Sequence, residues 1–392
     1  MNRLIILFAI LMVSIGQCVD VYVPSMPSMV IALHTTTAMV QLSITIALIG
    51  YGLTALVWGP LSDYFGRRFV ALRGLSIFVA GSVLCILAPN IYLLLIGRLL
   101  QGFGFASACG VAAPSVSDTH SGENLVKAFS YGGMAIAITP VVAPVLGGYL
   151  QHAYGWHAPF VFLFLYALII LGLFFKYYPE TNKNIGQGSI HPLAILKTFW
   201  ELLRDLRYIG FIVCLIFVFA GEIYYVINAP FLLQTKLGFT PVQNGWLVLV
   251  TVTGYLTGTF ASTKLCKRFG IMQLLAAGCL IAIFGAGIML VAGLLGLLNV
   301  FTLVVPMMFY MLGAGLIYPN AIGGCISCFQ EKAGSASSLG AAFNQGIGGL
   351  VATLATHLQV NSLLPLASIL FGFAVLIYAA CLMTKMVKPK NG

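Results

Sequence analysis

Residues 158–176 read APFVFLFLYALIILGLFFK, an uncharged stretch closed by Lys176. At ~1.5 Å per residue it crosses a hydrocarbon core of roughly 30 Å only as a helix, since lipid offers its backbone groups no hydrogen-bond partner. Pro159 and Gly172 inside it fit a helix packed among helices better than a barrel strand. The pattern recurs along the chain. Of 392 residues, 60% are hydrophobic and 7% charged, against roughly half and a quarter in a soluble domain. A soluble protein is thereby excluded. Apolar runs lie near 4–30, 39–61, 69–88, 91–115, 126–150, 158–176, 208–233, 242–265, 270–293, 299–327, 334–358 and 362–384. The reading is an all-α integral membrane protein of twelve spans, with both termini on one side.

The net charge of +10 does not mark a nucleic-acid binder, because the cations fall between apolar runs instead of on one folded face. With both termini in the cytoplasm, 17 of the 19 Lys and Arg residues lie in cytoplasmic segments or at helix ends, as the positive-inside rule requires. Lys236 faces outward and Arg98 lies within span four. The nine cysteines sit almost entirely in apolar runs, which argues against a disulfide framework. Cys325-x-x-Cys328 has metal spacing but no His or second Cys pair beside it, so a structural role is expected. The six histidines share no ligand spacing, and no metal site is expected. The chain has no Walker loop. ATP is therefore not the driver, the energy source is ionic, and no cofactor beyond coupling protons is expected. Residues 1–16 begin like a signal peptide but lack a small-x-small cleavage site, and read as a retained first span.

The polar stretch Tyr177–Asp205 divides the chain into an N-terminal six-helix bundle (1–176), a cytoplasmic linker (177–206) and a C-terminal bundle (207–392). Within the linker, Leu193, Leu196, Trp200, Leu203 and Leu206 recur at steps of three and four. They read as an amphipathic helix lying on the membrane or on the bundle face. The halves echo each other: Asp20-x-Tyr22 lies in span one and Glu222-x-Tyr224 in span seven. Paired sites in two six-helix repeats are expected of a secondary transporter.

Of nine acidic residues, only Asp20 and Glu222 fall inside apolar spans. A charge there costs about 2.5–3.5 kcal/mol even on insertion scales, so such residues usually face a cavity and carry function. Asp20 lies roughly 24 Å along span one from Leu4, well inside the bilayer. Burial and a nearby guanidinium pull its proton equilibrium in opposite directions, which is how a carboxylate couples protons. Arg98 is the partner expected either to modulate it or simply to pair with it. Glu222 is a second proton or cation site, or a hydrogen-bonded interior acid. Substrate-cavity candidates are Gln17, Tyr22, Tyr131, Tyr224, Tyr225, Asn228, Asn344 and Gln345, in a set that also includes Gln41, Tyr310 and Asn320. Tyr51 and Met134 are possible apolar walls.

Gly59-Pro60-Leu61-Ser62-Asp63-Tyr64-Phe65-Gly66-Arg67-Arg68 joins spans two and three. Asp63 can cap a helix there or pair with an arginine of the loop. Here the chain resembles the major facilitator superfamily, whose signature at this loop matches Gly59, Leu61, Asp63, Gly66, Arg67 and Arg68. The resemblance implies a cytoplasmic latch that holds the outward-facing state. Arg98, Gln101 and Gly102 resemble the family's span-four motif linked to proton transfer. Ala143–Gly148, with Pro144, Gly147 and Gly148, resembles the span-five antiporter motif that marks exporters. Asp20-Val21-Tyr22-Val23-Pro24-Ser25-Met26-Pro27 resembles span one of the bicyclomycin-resistance drug:proton antiporters. A second acid that better-studied relatives carry nearer the start of span one is absent. The resemblance implies a proton-coupled antiporter, not an enzyme, exporting drugs or small metabolites across a bacterial inner membrane by alternating access. It would work as a monomer. A dedicated exporter of one metabolite, such as a siderophore or amino-acid derivative, is the alternative, and a proton-coupled importer a more distant one.

Overall fold

Thr36 and Thr240 open two long helices in the same way. Each side-chain oxygen accepts the backbone N–H three residues on, Met39 in one case (3.3 Å) and Gln243 in the other (3.2 Å). Asn90 and Asn299 repeat the device on Leu93 (3.1 Å) and Thr302 (2.9 Å). Such caps satisfy backbone donors that a helix start leaves open. Thr36 and Thr240 are 204 positions apart, as are Gly66 and Gly270. Asp20 and Glu222 are 202 apart. The repeat faintly visible in the sequence is thus written into the helix starts and turns of both halves.

The computed structural model describes residues 2–120, 128, 139, 142–182, 185–186, 199–329, 333–356 and 362–386. Span one is α1 (Asn2–Gln17), a 3-10 segment (Cys18–Ser25) and α2 (Met26–Ala32). Spans two to four are α3 (Thr37–Phe65), α4 (Arg67–Ile86) and α5 (Ile91–Thr119). Span five is described as α6 over 142–154, and span six is α7 (Ala158–Tyr177). Span seven is α8 (Leu206–Pro230), extended by a π-helical turn (Phe231–Lys236). Spans eight and nine form α9 (Pro241–Leu294), interrupted where Gly270 takes φ 74°, ψ 169°. Span ten is α10 (Val300–Cys328). Span eleven is α11 (Ala333–Ala342), a π-helical turn (Phe343–Ile347) and α12 (Gly348–Thr356), and span twelve is α13 (Leu363–Met386).

Among the described residues nine helical stretches are long and apolar enough to cross a membrane, α9 being one of 54 residues. Leu53, Ile169, Phe284 and Phe301 are exposed, as lipid-facing side chains are and as a water-facing surface would not tolerate. Two compact units emerge: Met1–His191 with Thr240–Gly245, and Pro192–Phe239 with Trp246–Gly392. Of the amphipathic stretch 193–206, residues 199–202 are helical and 193–198 lie outside the described residues. Trp200 is exposed, with the Arg204 guanidinium 5.3 Å from its ring centre.

Candidate functional site

Span one loses its α-helical winding where its carboxylate sits. The eight-residue 3-10 segment carries Asp20 in its first turn and Pro24 near its end. Pro24 has no N–H for an α-helical bond, and a 3-10 run inside a helix commonly marks a functional hinge. Asp20 is half-buried. Arg98, from α5, is fully buried and near enough to act on Asp20 electrostatically. Among the described residues, however, the ion pairs within 4.0 Å both belong to Arg67.

Other groups hold Arg98. Its guanidinium lies 4.4 Å from the centre of the Tyr22 ring, Nε donates to the Ser43 carbonyl (3.2 Å), and Nη1 donates to Gln101 Oε1 (2.7 Å). Gln101 Nε2 donates to Ser82 Oγ (2.8 Å), and Tyr22 and Ser43 share a hydroxyl hydrogen bond (2.7 Å). Nη2 has no hydrogen-bond partner. A buried cation is thus fixed in place with one donor left over, beside a carboxylate it does not touch. Tyr22, a cavity candidate, is fully buried under Arg98 and against Phe160 at 5.1 Å between ring centres. It orients the cation.

The span-five motif meets this segment directly. Pro144, Gly147 and Gly148 are buried on α6, and a Cβ on Gly147 would collide with the carbonyl oxygen of Val21. Gln151 Nε2, one turn on, donates to Ser28 Oγ (2.7 Å). Main chain therefore lies on main chain beside Asp20, an approach only glycine permits.

In the second unit, Glu222 is half-buried on α8 and within electrostatic reach of Tyr255 and Tyr310. Tyr224 and Tyr225 are buried beside it, and the Tyr224 hydroxyl has no hydrogen-bond partner. Asn228 is buried, with Nδ2 donating to the Tyr224 carbonyl (2.7 Å). Asn344 lies in the π-helical turn of span eleven, where its Nδ2 donates to the Tyr318 hydroxyl (3.1 Å). Its Oδ1 is unpartnered on a cavity of about 70 Å³ that Tyr318, Leu215 and Cys325 also line. Gln345 is half-buried in the same turn. Asn320 bonds Ser262 Oγ (2.7 Å) and the Leu316 carbonyl (2.7 Å), joining α9 to α10. Tyr51 packs on Phe105 at 4.9 Å between ring centres. Tyr131, Met134 and the side chain of Gln17 lie outside the described residues. Sequence reading missed Tyr255 and Tyr318. Their only signal was the aromatic hydroxyl in an apolar run, which most such tyrosines share without function.

The loop between spans two and three is more elaborate than its sequence implied. Asp63 pairs with Arg67 Nη1 (2.5 Å), one of the two roles expected of it. Arg67 Nε also reaches Asp118 Oδ2 (3.2 Å) at the end of α5. The capping role belongs to Glu180, whose two oxygens accept the N–H groups of Arg67 and Arg68, both at 3.0 Å. Thr181 Oγ1 donates to Asp118 Oδ2 (3.2 Å) and Asn182 Nδ2 to the Asp63 carbonyl (2.8 Å). Burial pushes the nearby Tyr178 phenol up to about 12, so it stays neutral in its hydrogen bond with Ser115 (2.5 Å). Gly59 has open space around it. Gly66 turns the chain at φ 97°, and a Cβ there would stand 2.5 Å from Glu180 Oε2. Glu180→Gln is expected to lower the unfolding midpoint in detergent by roughly 2–4 °C, the scale of about 1 kcal/mol for a helix cap. Gly66→Ala adds left-handed strain of about 1–2 kcal/mol and should cost more. Equal midpoints for wild type and both variants would remove the capping role.

The Major Facilitator Superfamily profile matches residues 5–353. The chain therefore belongs to the major facilitator superfamily of membrane transporters. Multidrug resistance protein D of Escherichia coli (strain K12) is 25% identical over 358 residues, covering 91% of this chain and 89% of that protein. The bicyclomycin resistance protein homolog of Haemophilus influenzae is 23% identical over 348 residues, covering 89% and 87%. In fold, the inward-open xylose transporter XylE of E. coli matches with a TM-score of 0.77 at 17% identity, over 100% of this chain and 98% of that one. This is a multi-pass, all-helical transporter fold, and the drug-resistance resemblance read from the motifs extends over about nine-tenths of the chain.

Proposed function

We propose that the protein is a proton-coupled antiporter exporting drug-like small molecules across a bacterial inner membrane by alternating access, with both termini in the cytoplasm. The observation that carries this reading is Asp20, a half-buried carboxylate in a 3-10 stretch of span one, within electrostatic reach of a fully buried Arg98 with an unused donor. A buried carboxylate that binds either a proton or a cationic substrate exchanges the two by competition. Arg98, fixed by Tyr22, Ser43 and Gln101, sets the field in which that choice is made. The span-five motif is the device that holds the 3-10 stretch. Glu222 with Tyr255 and Tyr310 is a second, smaller polar cluster that serves protons or substrate, and Tyr224, Tyr225, Asn228, Asn344 and Gln345 contribute substrate contacts. The names of the relatives, multidrug and bicyclomycin resistance, support drugs as cargo. Each inward proton releases about 2.3 kcal/mol per 100 mV of potential, enough for a gradient of roughly fiftyfold. No ATP and no second subunit enter the scheme.

The test is proton release from energised everted membrane vesicles, read with a pH-quenched dye during addition of lipophilic cations, neutral antibiotics and secreted metabolites. Dequenching by several unrelated compounds is expected. A response to a single metabolite would make the protein a dedicated exporter, and silence across the panel would overturn proton antiport.

A further inference from the structure

Away from the polar sites, α4 and α7 enclose a membrane-facing groove of about 550 Å³, bordered by Phe69, Arg73, Leu168, Gly172 and Phe175. All five are exposed, and a Cβ on Gly172 would meet nothing within 4 Å, so the missing side chain is what opens the groove. Arg73 lies six residues into α4, roughly 9 Å from the helix start. A guanidinium exposed toward lipid at that depth is expensive unless it snorkels to a negative group. Its recorded contact is the Phe69 ring, 5.2 Å away, and the carboxylate ion pairs among the described residues belong to Arg67.

The loop end of the groove is also basic. Arg68 Nη2 donates to the Phe175 carbonyl (2.7 Å), tying the two helices there, and Lys176 follows Phe175. The carboxylates of this loop are engaged elsewhere: Asp63 and Asp118 pair with Arg67, and Glu180 accepts the backbone N–H groups of Arg67, Arg68, Thr181 and Asn182. Arg73 on the groove wall and Arg68, held on the Phe175 carbonyl, thus stand at one end of an apolar channel. That combination matches basic pockets between membrane helices, which take anionic lipid headgroups.

We propose that this groove binds one phospholipid of net negative headgroup, its phosphate on Arg73 and Arg68 and an acyl chain along Leu168 and Gly172. The inference does not rest on the transport reading; only the choice of the cytoplasmic leaflet follows from the orientation given there.

Native mass spectrometry of the full-length protein in detergent tests it, with phosphatidylglycerol and phosphatidylcholine of identical chains as probes. Wild type is expected to retain one phosphatidylglycerol at least fivefold more tightly than phosphatidylcholine. Arg73→Gln should bring that ratio close to one, Arg73→Lys should keep part of it, and Gly172→Leu should expel both lipids by filling the channel. Both sites are exposed, so neither change disturbs the core. Equal retention of the two lipids by wild type overturns the proposal, as does an unchanged preference in Arg73→Gln and Gly172→Leu. A dimer abolished by Gly172→Leu would assign the groove to a second copy instead.

Discussion

Asp20→Asn is expected to leave the protein in the membrane at normal abundance and to reduce substrate-driven proton release at least a hundredfold. Asn matches Asp in shape but can neither give up a proton nor carry a charge, so the variant removes the titration and the ion pairing with a cationic substrate. The carboxylate forms no ion pair within 4.0 Å of Arg98 among the described residues, and Arg98 keeps its bonds to Ser43 and Gln101 and its stack on Tyr22. The anchoring of Arg98 therefore does not depend on Asp20, and a hundredfold loss at normal abundance, about 2.7 kcal/mol, reports on coupling. Downhill exchange of a labelled neutral substrate should persist in the variant, because it needs neither net proton movement nor the carboxylate charge. Glu222→Gln is the internal comparison, expected to weaken coupling without abolishing it. Full proton coupling in Asp20→Asn would exclude Asp20 as the coupling residue, and loss confined to Glu222→Gln would move the proton site to the second unit.

Much of this was legible in the chain because lipid enforces it. Long apolar runs must be helices, and two acids left inside them must be functional or expensive. The loop Gly59–Arg68 was legible as the join of spans two and three, because charged residues and Gly66 separate two apolar runs there. What stayed hidden depends on tertiary approach. Asp118 and Glu180 read as loop acids because nothing local shows the end of α5 and the segment after α7 converging on Arg67. The 3-10 segment at Asp20 had a sign in Pro24 and Pro27, but a proline in a membrane helix bends, breaks or merely packs. The π-helical turn at Asn344 has no sequence mark, since one extra residue in a turn leaves apolar periodicity nearly intact. Arg98 looked like the ion-pair partner of Asp20 because both are charges in apolar runs. Stacking on Tyr22 and bonding to Gln101 and Ser43 are short-range facts that spacing cannot supply.

Gly147→Ala is the second large effect expected. The added methyl would collide with the Val21 carbonyl oxygen, and neither neighbour has a flexible side chain to yield. Either α6 retreats or the 3-10 segment moves, and both shift Asp20 relative to the fixed guanidinium of Arg98. Overpacking of this kind costs about 1–3 kcal/mol, and a loss of that size at the coupling step corresponds to drug-driven proton release lower by roughly ten- to a hundredfold. Gly372→Ala is the matched control: the Cβ there meets nothing within 4 Å, and replacing a helical Gly gains up to about 1 kcal/mol of propensity. Because Gly147 acts through position, its variant should also displace the pH dependence of transport, which a change that merely lowered the amount of folded protein would not do. Wild-type rates and an unmoved pH profile in Gly147→Ala would show that the 3-10 stretch adapts freely. The span-five motif would then have no part in placing the carboxylate.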